Sequence, residues 1–294
     1  RRDFTINAMA IELSPSRYGQ LLDLYGGRDD LEHKLVRVLH DKSFIDDATR
    51  IWRGLRYEQR LNFQLEPATL QLLKRDVSYL DAVSGDRIRH ELELILKEEY
   101  PEKVLSRADE LGVLPKLHPA LKGNGWLTEK FEQARQLSSP ASPSVGLYLT
   151  LLMYRLSEPA NEQVISHLRL SKSVSQTLQD TISIKTRLKS LANPRLSPSS
   201  LYSLLHGYSP TAVTANWLAS DSPLARQHIN LFLSKLRYIK PALSGEDLKK
   251  LGLAPGPGIK ETLNRLLEAR LDGKVTSKRG EEDLVKQWLA GTER

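Results

Sequence analysis

The chain opens on a short alternation of apolar and polar residues and soon gives way to helical spacing. Phe4, Ile6, Ala8 and Ala10 fall on one face of an extended segment, and Thr5, Asn7 and Met9 on the other, which predicts a strand over 4–13. The turn-rich Ser14-Pro15-Ser16-Arg17-Tyr18-Gly19 separates it from a second short strand over 21–25. Gly26-Gly27 marks a turn, followed by a short helix to residue 34 and a strand-like stretch over 35–39.

From there the spacing is helical. A helix capped by Asp46 or Asp47 is expected to run to about residue 62, with Ile51, Trp52, Leu55 and Leu61 as its buried stripe. Pro67 suits the first turn of a helix ending near Asp76. Ile88, Leu92, Ile95 and Leu96 follow Ser84-Gly85 at a 3.6-residue period, and Pro101 and Gly112 bracket a further helix. Beyond residue 115 short helices are punctuated by Gly, Pro and Ser, with the most linker-like stretches at 138–144 and 193–199. Ser244 and Asp247 have capping-box spacing, and Ala254-Pro255-Gly256-Pro257-Gly258 leads into a basic amphipathic helix to Leu271. The pattern is mostly α, with two or three short strands at the start.

Composition narrows the chemistry. The 294 residues contain no cysteine, which excludes disulfides, cysteine zinc sites and thiolate nucleophiles. The formal charge of +7 suits an anionic partner such as RNA, DNA or a lipid surface, while aromatic residues, at 6%, are too few for a surface built mainly of base-stacking platforms. No apolar run approaches the ~20 residues of a membrane span, and a cytoplasmic protein is expected. The histidines are scattered without metal-ligand spacing, and neither a phosphate-binding loop nor a Gly-x-Ser-x-Gly elbow occurs. Because the chain starts without Met and directly in a strand, a fragment is expected, its sheet completed by a missing segment or a second chain.

Two clusters can carry chemistry. Arg1-Arg2-Asp3 at a strand entrance fits a holder of phosphate or ribose, and equally an ordinary charged edge. Asp47, Arg50, Arg53 and Arg56 step by three along a helix, forming either a solvated salt-bridge ridge or a nucleotide site. In the second reading the Asp47 carboxylate accepts from an exocyclic amine, Arg50 donates to ring nitrogens or a carbonyl, and Arg53 and Arg56 reach toward a triphosphate. Near the C-terminus, the amides of Gly256, Gly258 and Ile259 with Lys260 suit either a phosphate contact or a simple turn between helices.

Taken in order, these segments resemble the bacterial tRNA nucleotidyltransferase (CCA-adding) and poly(A) polymerase family. Residues 1–10 are similar to a family signature, Asp23-Leu24-Tyr25-Gly26-Gly27-x-x-Asp30-Leu31 to its hinge motif, and Phe44-x-Asp46-Asp47-x-x-Arg50-x-x-Arg53-x-x-Arg56-Tyr57 to its base-selecting helix. Arg87-Ile88-x-x-Glu91-Leu92 and Gly252-Leu253-x-Pro255-Gly256-Pro257 are similar to later parts. The resemblance implies the remnant of an α/β nucleotidyltransferase head over 1–40, a helical neck that recognises the base over 41–120, and a tRNA-binding body and tail over 121–294. It implies Arg2 and Asp3 beside the ribose, phosphates and metals, with Asp3 as the catalytic candidate. Asp46, Asp47 and Arg50 would choose the base, and Arg53 and Arg56 would hold the triphosphate. The implied reaction adds C or A from CTP or ATP to the tRNA 3′ acceptor end, releases pyrophosphate and uses Mg2+. Poly(A) synthesis, a non-catalytic RNA-binding module and a purely structural helical adaptor are the alternatives.

Three departures bear on this. Asp46 stands where the family has Glu, so base choice rests on Asp47 and Arg50, and Ala48 stands where Pro is frequent. No Asp-x-Asp pair occurs anywhere in the chain, so these residues alone are expected to be inactive.

Overall fold

A computed structural model describes residues 2–292, so Arg1 of the first cluster lies outside the described residues. The chain divides into two compact units, Arg1–Leu178 and Gln179–Arg294. It is mostly helical, as the spacing predicts, with two small two-stranded sheets.

In the first unit, β1 (Ala10–Ile11) pairs antiparallel with β2 (Leu21–Leu22), and both strands are exposed. The long strand expected over 4–13 does not form. Phe4 makes an isolated bridge to Val38, Thr5–Asn7 is a 3-10 turn, and only Phe4 of the expected inner face is fully buried. The cause lies in side chains that compete with a ladder for the backbone. The Asp3 carboxylate accepts from the Phe4 amide and from Asn7 Nδ2, both at 3.0 Å, and the Thr5 hydroxyl donates to Asp30 at 2.6 Å.

The strand expected over 21–25 is cut short by the same kind of competition. Asp23 accepts from the amides of Gly27 and Arg28, both at 2.8 Å, and so caps α1 (Gly27–Glu32). Gly26 takes the left-handed conformation this turn requires (φ 71°), and a Cβ on Gly27 would lie 2.3 Å from the Thr5 carbonyl. The backbone donors of Arg28 and then Gly27 hold the Asp23 carboxyl below the ordinary range. Asp30, buried, also takes the Arg37 Nε at 3.0 Å. The Asp-x-x-Gly-Gly-x-x-Asp pattern is therefore a bracket that fixes the 3–7 turn.

β3 (Leu35–Val36) pairs in parallel with β4 (Gln64–Leu65), a strand too short for periodicity to reveal. A short α2 (Ser43–Asp46) precedes the helix expected from an Asp46 or Asp47 cap to about residue 62. That helix is α3 (Thr49–Arg60), whose first amide, that of Thr49, donates to the Asp47 carboxylate, and Asp47 between the two is extended. Ile51, Trp52 and Leu55 are buried as expected, whereas Leu61, past the helix end, is exposed. Gly54 lets the Phe4 ring approach α3, and that ring meets Tyr57 edge-on at 5.8 Å. Then come α4 (Pro67–Asp76), α5 (Gly85–Ile95) and α6 (Pro101–Glu110), all close to the expected bounds. The apolar stripes of α5 and α6, including Ile88, Leu92 and Leu105, pack against α3, and α4, with buried Leu73, packs against α2. α7 (Gly125–Ser138), α8 (Val145–Met153) and α9 (Glu158–His167) complete the helices that lie wholly within this unit. Arg89 of α5 donates to the carbonyls of Leu168 and Arg169, where α9 ends.

α10 (Lys172–Thr186) crosses the division in sequence. The second unit continues with α11 (Leu188–Leu191), α12 (Pro198–Leu205), α13 (Pro210–Ala219) and α14 (Pro223–Ser234), around a core that includes Leu201, Val213, Ile229 and Phe232. α15 (Gly245–Lys250), α16 (Pro257–Leu271) and α17 (Lys278–Thr292) enclose a smaller cluster of Leu243, Leu248, Leu266 and Val285. The expected capping box is present: Ser244 accepts from the Asp247 amide and Asp247 from the Ser244 amide. Fully buried Glu281 accepts from the amides of Ala242 and Leu243 and pairs with Arg270.

Candidate nucleotide-binding site

The residues singled out in the sequence meet where the chain start, the 46–49 turn and α3 converge. Asp47 cannot sit on a helical ridge with the arginines, because its backbone is extended and lies before α3. Its side chain does not pair with that of Arg50, as the ridge reading expects, although the Arg50 amide donates to the Asp47 carbonyl at 3.1 Å. Its carboxylate accepts from the Thr49 amide at 3.0 Å, the Thr49 hydroxyl at 2.6 Å and Arg87 Nη2 at 2.8 Å. Burial pushes this carboxyl up, but the Thr49 hydrogen bonds and the Arg87 guanidinium outweigh it, and the group sits below the usual carboxylate range. Arg50 instead uses Nη1, which donates to the Ser43 carbonyl (3.1 Å) and hydroxyl (2.7 Å). Asp47 and Arg50 are thus anchored separately, each on a neighbour of its own.

The remaining arginines face elsewhere, for a reason of helix geometry. With about 100° per residue, a step of three falls about 60° short of a turn, so Arg56 lies about 120° round the helix from Arg50. Arg53, half-buried, reaches Asp3 with Nη2 2.6 Å from Oδ2. Arg56 is buried: its Nη1 donates to Glu98 at 3.2 Å and its guanidinium covers the Tyr57 ring at 4.9 Å. It belongs to the interior and not to an exposed ridge. Behind it, Glu58 accepts from the Leu65 amide and from Arg107 of α6.

Arg2 is exposed, and Asp46 is an exposed residue whose carboxylate lies 3.6 Å from His40 Nε2. Asp3 is 3% exposed, and its carboxylate is already committed to the Arg53 guanidinium, the Phe4 amide and Asn7. A magnesium ion needs several converging oxygen ligands. Among the described residues no group of three or more His, Asp or Glu converges, and these residues do not fit that ion.

Sequence reasoning missed three contributors. Thr49 sits at an unspecified position of the quoted motif and Ser43 immediately before it, and neither carries a charge to draw notice. Arg87 stands in a quoted pattern without an assigned role. Its partner in that pattern, Glu91, is buried on α5, where burial raises its carboxyl above the usual range against the opposing pull of Arg53 and Arg56.

Residues 1–37 match the family model described as the poly A polymerase head domain, and residues 62–123 match the probable RNA and SrmB-binding site of polymerase A. The chain is 34% identical to an A-adding tRNA nucleotidyltransferase of Geobacter sulfurreducens, over 95% of its own length and 33% of the relative's. It is 32% identical to an A-adding tRNA nucleotidyltransferase of Halalkalibacterium halodurans, over 95% of its length and 65% of the relative's. The chain therefore spans about a third of the first curated relative and just under two thirds of the second. Among solved structures, the Thermotoga maritima CCA-adding enzyme complexed with tRNA matches with a TM-score of 0.81 and 31% identity, over 98% of this chain and 72% of that one. A complex of a CCA-adding enzyme with CTP matches with a TM-score of 0.80 and 32% identity, over 100% and 72%. With the motifs in family order and both sequence and fold matching over nearly the whole chain, this protein belongs to the bacterial CCA-adding and A-adding tRNA nucleotidyltransferase family.

Proposed function

We propose that this chain is the base-selecting and RNA-binding part of an enzyme that adds C, A or both to the 3′ end of tRNA from CTP or ATP. The observation that carries the reading is the Asp47–Arg50 pair, one acceptor and one donor, held at the start of α3 on separate anchors. Cytosine and adenine both present an exocyclic amine, which a carboxylate accepts from. Uracil and guanine present a carbonyl oxygen there, which a carboxylate repels. The guanidinium of Arg50 supplies the complementary donors for a ring nitrogen or carbonyl.

Arg53 is the cation placed to meet the triphosphate, with Asp3 orienting it. Arg2 stands at the same end of the site. Asp46, beside His40, lies at the rim. The helical neck over 41–120 holds the base, and the basic body and tail over 121–294 carry tRNA through phosphate contacts. The reaction implied is attack of the RNA 3′-hydroxyl on the α-phosphate with loss of pyrophosphate. Magnesium, general to such transfers, does not fit the residues described, and the chain contains no Asp-x-Asp pair. The 294 residues by themselves are therefore expected to select and bind without transferring. The substrates imply the cytoplasm. Poly(A) synthesis is the second reading, favoured by the names of the two matching family models.

The test combines binding and transfer. tRNA lacking CCA, ending in C or ending in CC is mixed with labelled CTP or ATP, magnesium and the purified chain. Salt-dependent tRNA binding and a preference for CTP and ATP over UTP and GTP are expected, without incorporation. Absence of both binding and preference overturns the reading. Incorporation by a preparation confirmed at 33.3 kDa overturns the statement that these residues are inactive alone.

A further inference from the structure

The three hydrogen bonds to the Asp47 carboxylate among the described residues all fall on the same oxygen. Oδ1 accepts from the Thr49 amide, the Thr49 hydroxyl and Arg87 Nη2, while Oδ2 takes no hydrogen bond among the described residues. A carboxylate free to rotate offers both oxygens in turn. One with three donors on Oδ1 is held in a single rotamer, with its second oxygen and lone pairs turned away from the anchor. Two of those donors come from Thr49, two residues on, and move with the turn. The third, Arg87, comes from α5 and is the only one that ties the carboxylate to a different element.

Arg87 has little else to do in the structure. Its side chain is 54% exposed, and its other contact is a longer one to the Thr49 hydroxyl, at 3.4 Å. An exposed pair of this kind adds little to stability. Its effect is geometric, because a guanidinium fixed on Oδ1 sets the direction in which Oδ2 points.

We infer that Arg87 is a positioning residue for base selection: it saturates Asp47 Oδ1 so that Oδ2 alone is presented to the exocyclic amine of cytosine or adenine. This rests on the proposed role of Asp47 and adds the element that orients it. Arg87 touches no part of the nucleotide in this scheme. Its loss is therefore felt only by bases whose amine needs Oδ2. From α5, Arg87 lowers the Asp47 carboxyl, and Asp47 in turn raises that of Glu91.

The experiment is equilibrium binding of CTP, ATP, UTP and GTP to the 294-residue protein and to its Arg87→Met and Arg87→Lys variants. Carbon-detected NMR titration of the Asp47 carboxyl accompanies it. Loss of one charge-assisted hydrogen bond predicts about tenfold weaker CTP and ATP binding in Arg87→Met, with UTP and GTP within about twofold of wild type. Arg87→Lys should restore part of the loss, because it keeps the charge but not the planar fork. The Asp47 carboxyl should titrate at higher pH in Arg87→Met. Unchanged CTP and ATP binding, or an equal loss for all four nucleotides, overturns the assignment while leaving Asp47 as the base reader. A wild-type protein that does not prefer CTP and ATP overturns the base-reading role itself. The NMR titration then still reports whether Arg87 holds Asp47, which separates the two failures.

Discussion

Arg50 and Arg56 lie on the same helix and carry the same guanidinium, but they sit in different physical surroundings. Arg50 stands at the first turn of α3, half-buried, with Nη1 fixed on Ser43 and the rest of the fork without a hydrogen bond among the described residues. Arg56 is buried beside Trp52 and Leu55, paired with Glu98, stacked on Tyr57 and close to Glu91. The first is a donor with capacity left over. The second has its charge consumed inside the fold. A binding residue needs partial anchoring, enough to remove rotamer freedom without using every donor, whereas the buried Arg56 guanidinium already has its carboxylate partner inside the fold.

The comparison can be broken from the interior side first. Arg56→Ala leaves Glu98 without its guanidinium and Glu91 with less compensation, so a loss of about 3–4 kcal/mol is expected in urea unfolding. A loss under about 1 kcal/mol would mean that Arg56 is solvated and that the two arginines are alike.

The rim side should respond in ligand binding. Removal of the carboxylate in Asp47→Ala should weaken CTP and ATP by tenfold to about a hundredfold and abolish their advantage over UTP. Equilibrium dialysis against all four nucleotides measures this, and an undiminished preference would move the base reader elsewhere. Arg50→Ala should behave similarly in binding while costing no more than about 0.5–1 kcal/mol in stability. An equal stability loss in Arg50→Ala and Arg56→Ala would erase the distinction between rim and interior.

The smallest effect concerns Glu91 and is a matter of pH. Its carboxyl is raised in the folded protein because burial disfavours the charge, an effect only partly offset by Arg53 and Arg56. A folded value above the unfolded one means the ionised group weakens folding at neutral pH. That penalty fades as pH falls through the folded value toward the unfolded one. Glu91→Gln should therefore raise Tm slightly at pH 7, with the gain shrinking in acid. A Tm that drops at pH 7 and recovers in acid would show the charge to be stabilising.

Much of the helical layout was legible along the chain. The bounds of α4, α5, α6 and α16, and the Ser244–Asp247 capping box, follow from prolines, caps and a 3.6-residue period, all local signals. The helix after Asp46 was legible from its cap, whereas the strand over 4–13 failed. Asp3 accepts from the nearby Phe4 amide and from Asn7, while the Thr5 hydroxyl donates to Asp30, a partner distant in sequence, so the segment turns instead of extending. The pairing of β3 with β4 was invisible because two-residue strands carry no period.

By itself the sequence determined which residue types were available and where helices could start and stop, because capping, proline geometry and hydrophobic period act within a few residues. It also held the motif order that marks the family. Only the tertiary structure decided which of the arginines remained free. That outcome depends on how far each step of three turns round α3 and on what α5 and α6 place opposite. Burial and a carboxylate partner are properties of packed neighbours, and they separate Arg50 from Arg56 where charge and spacing could not.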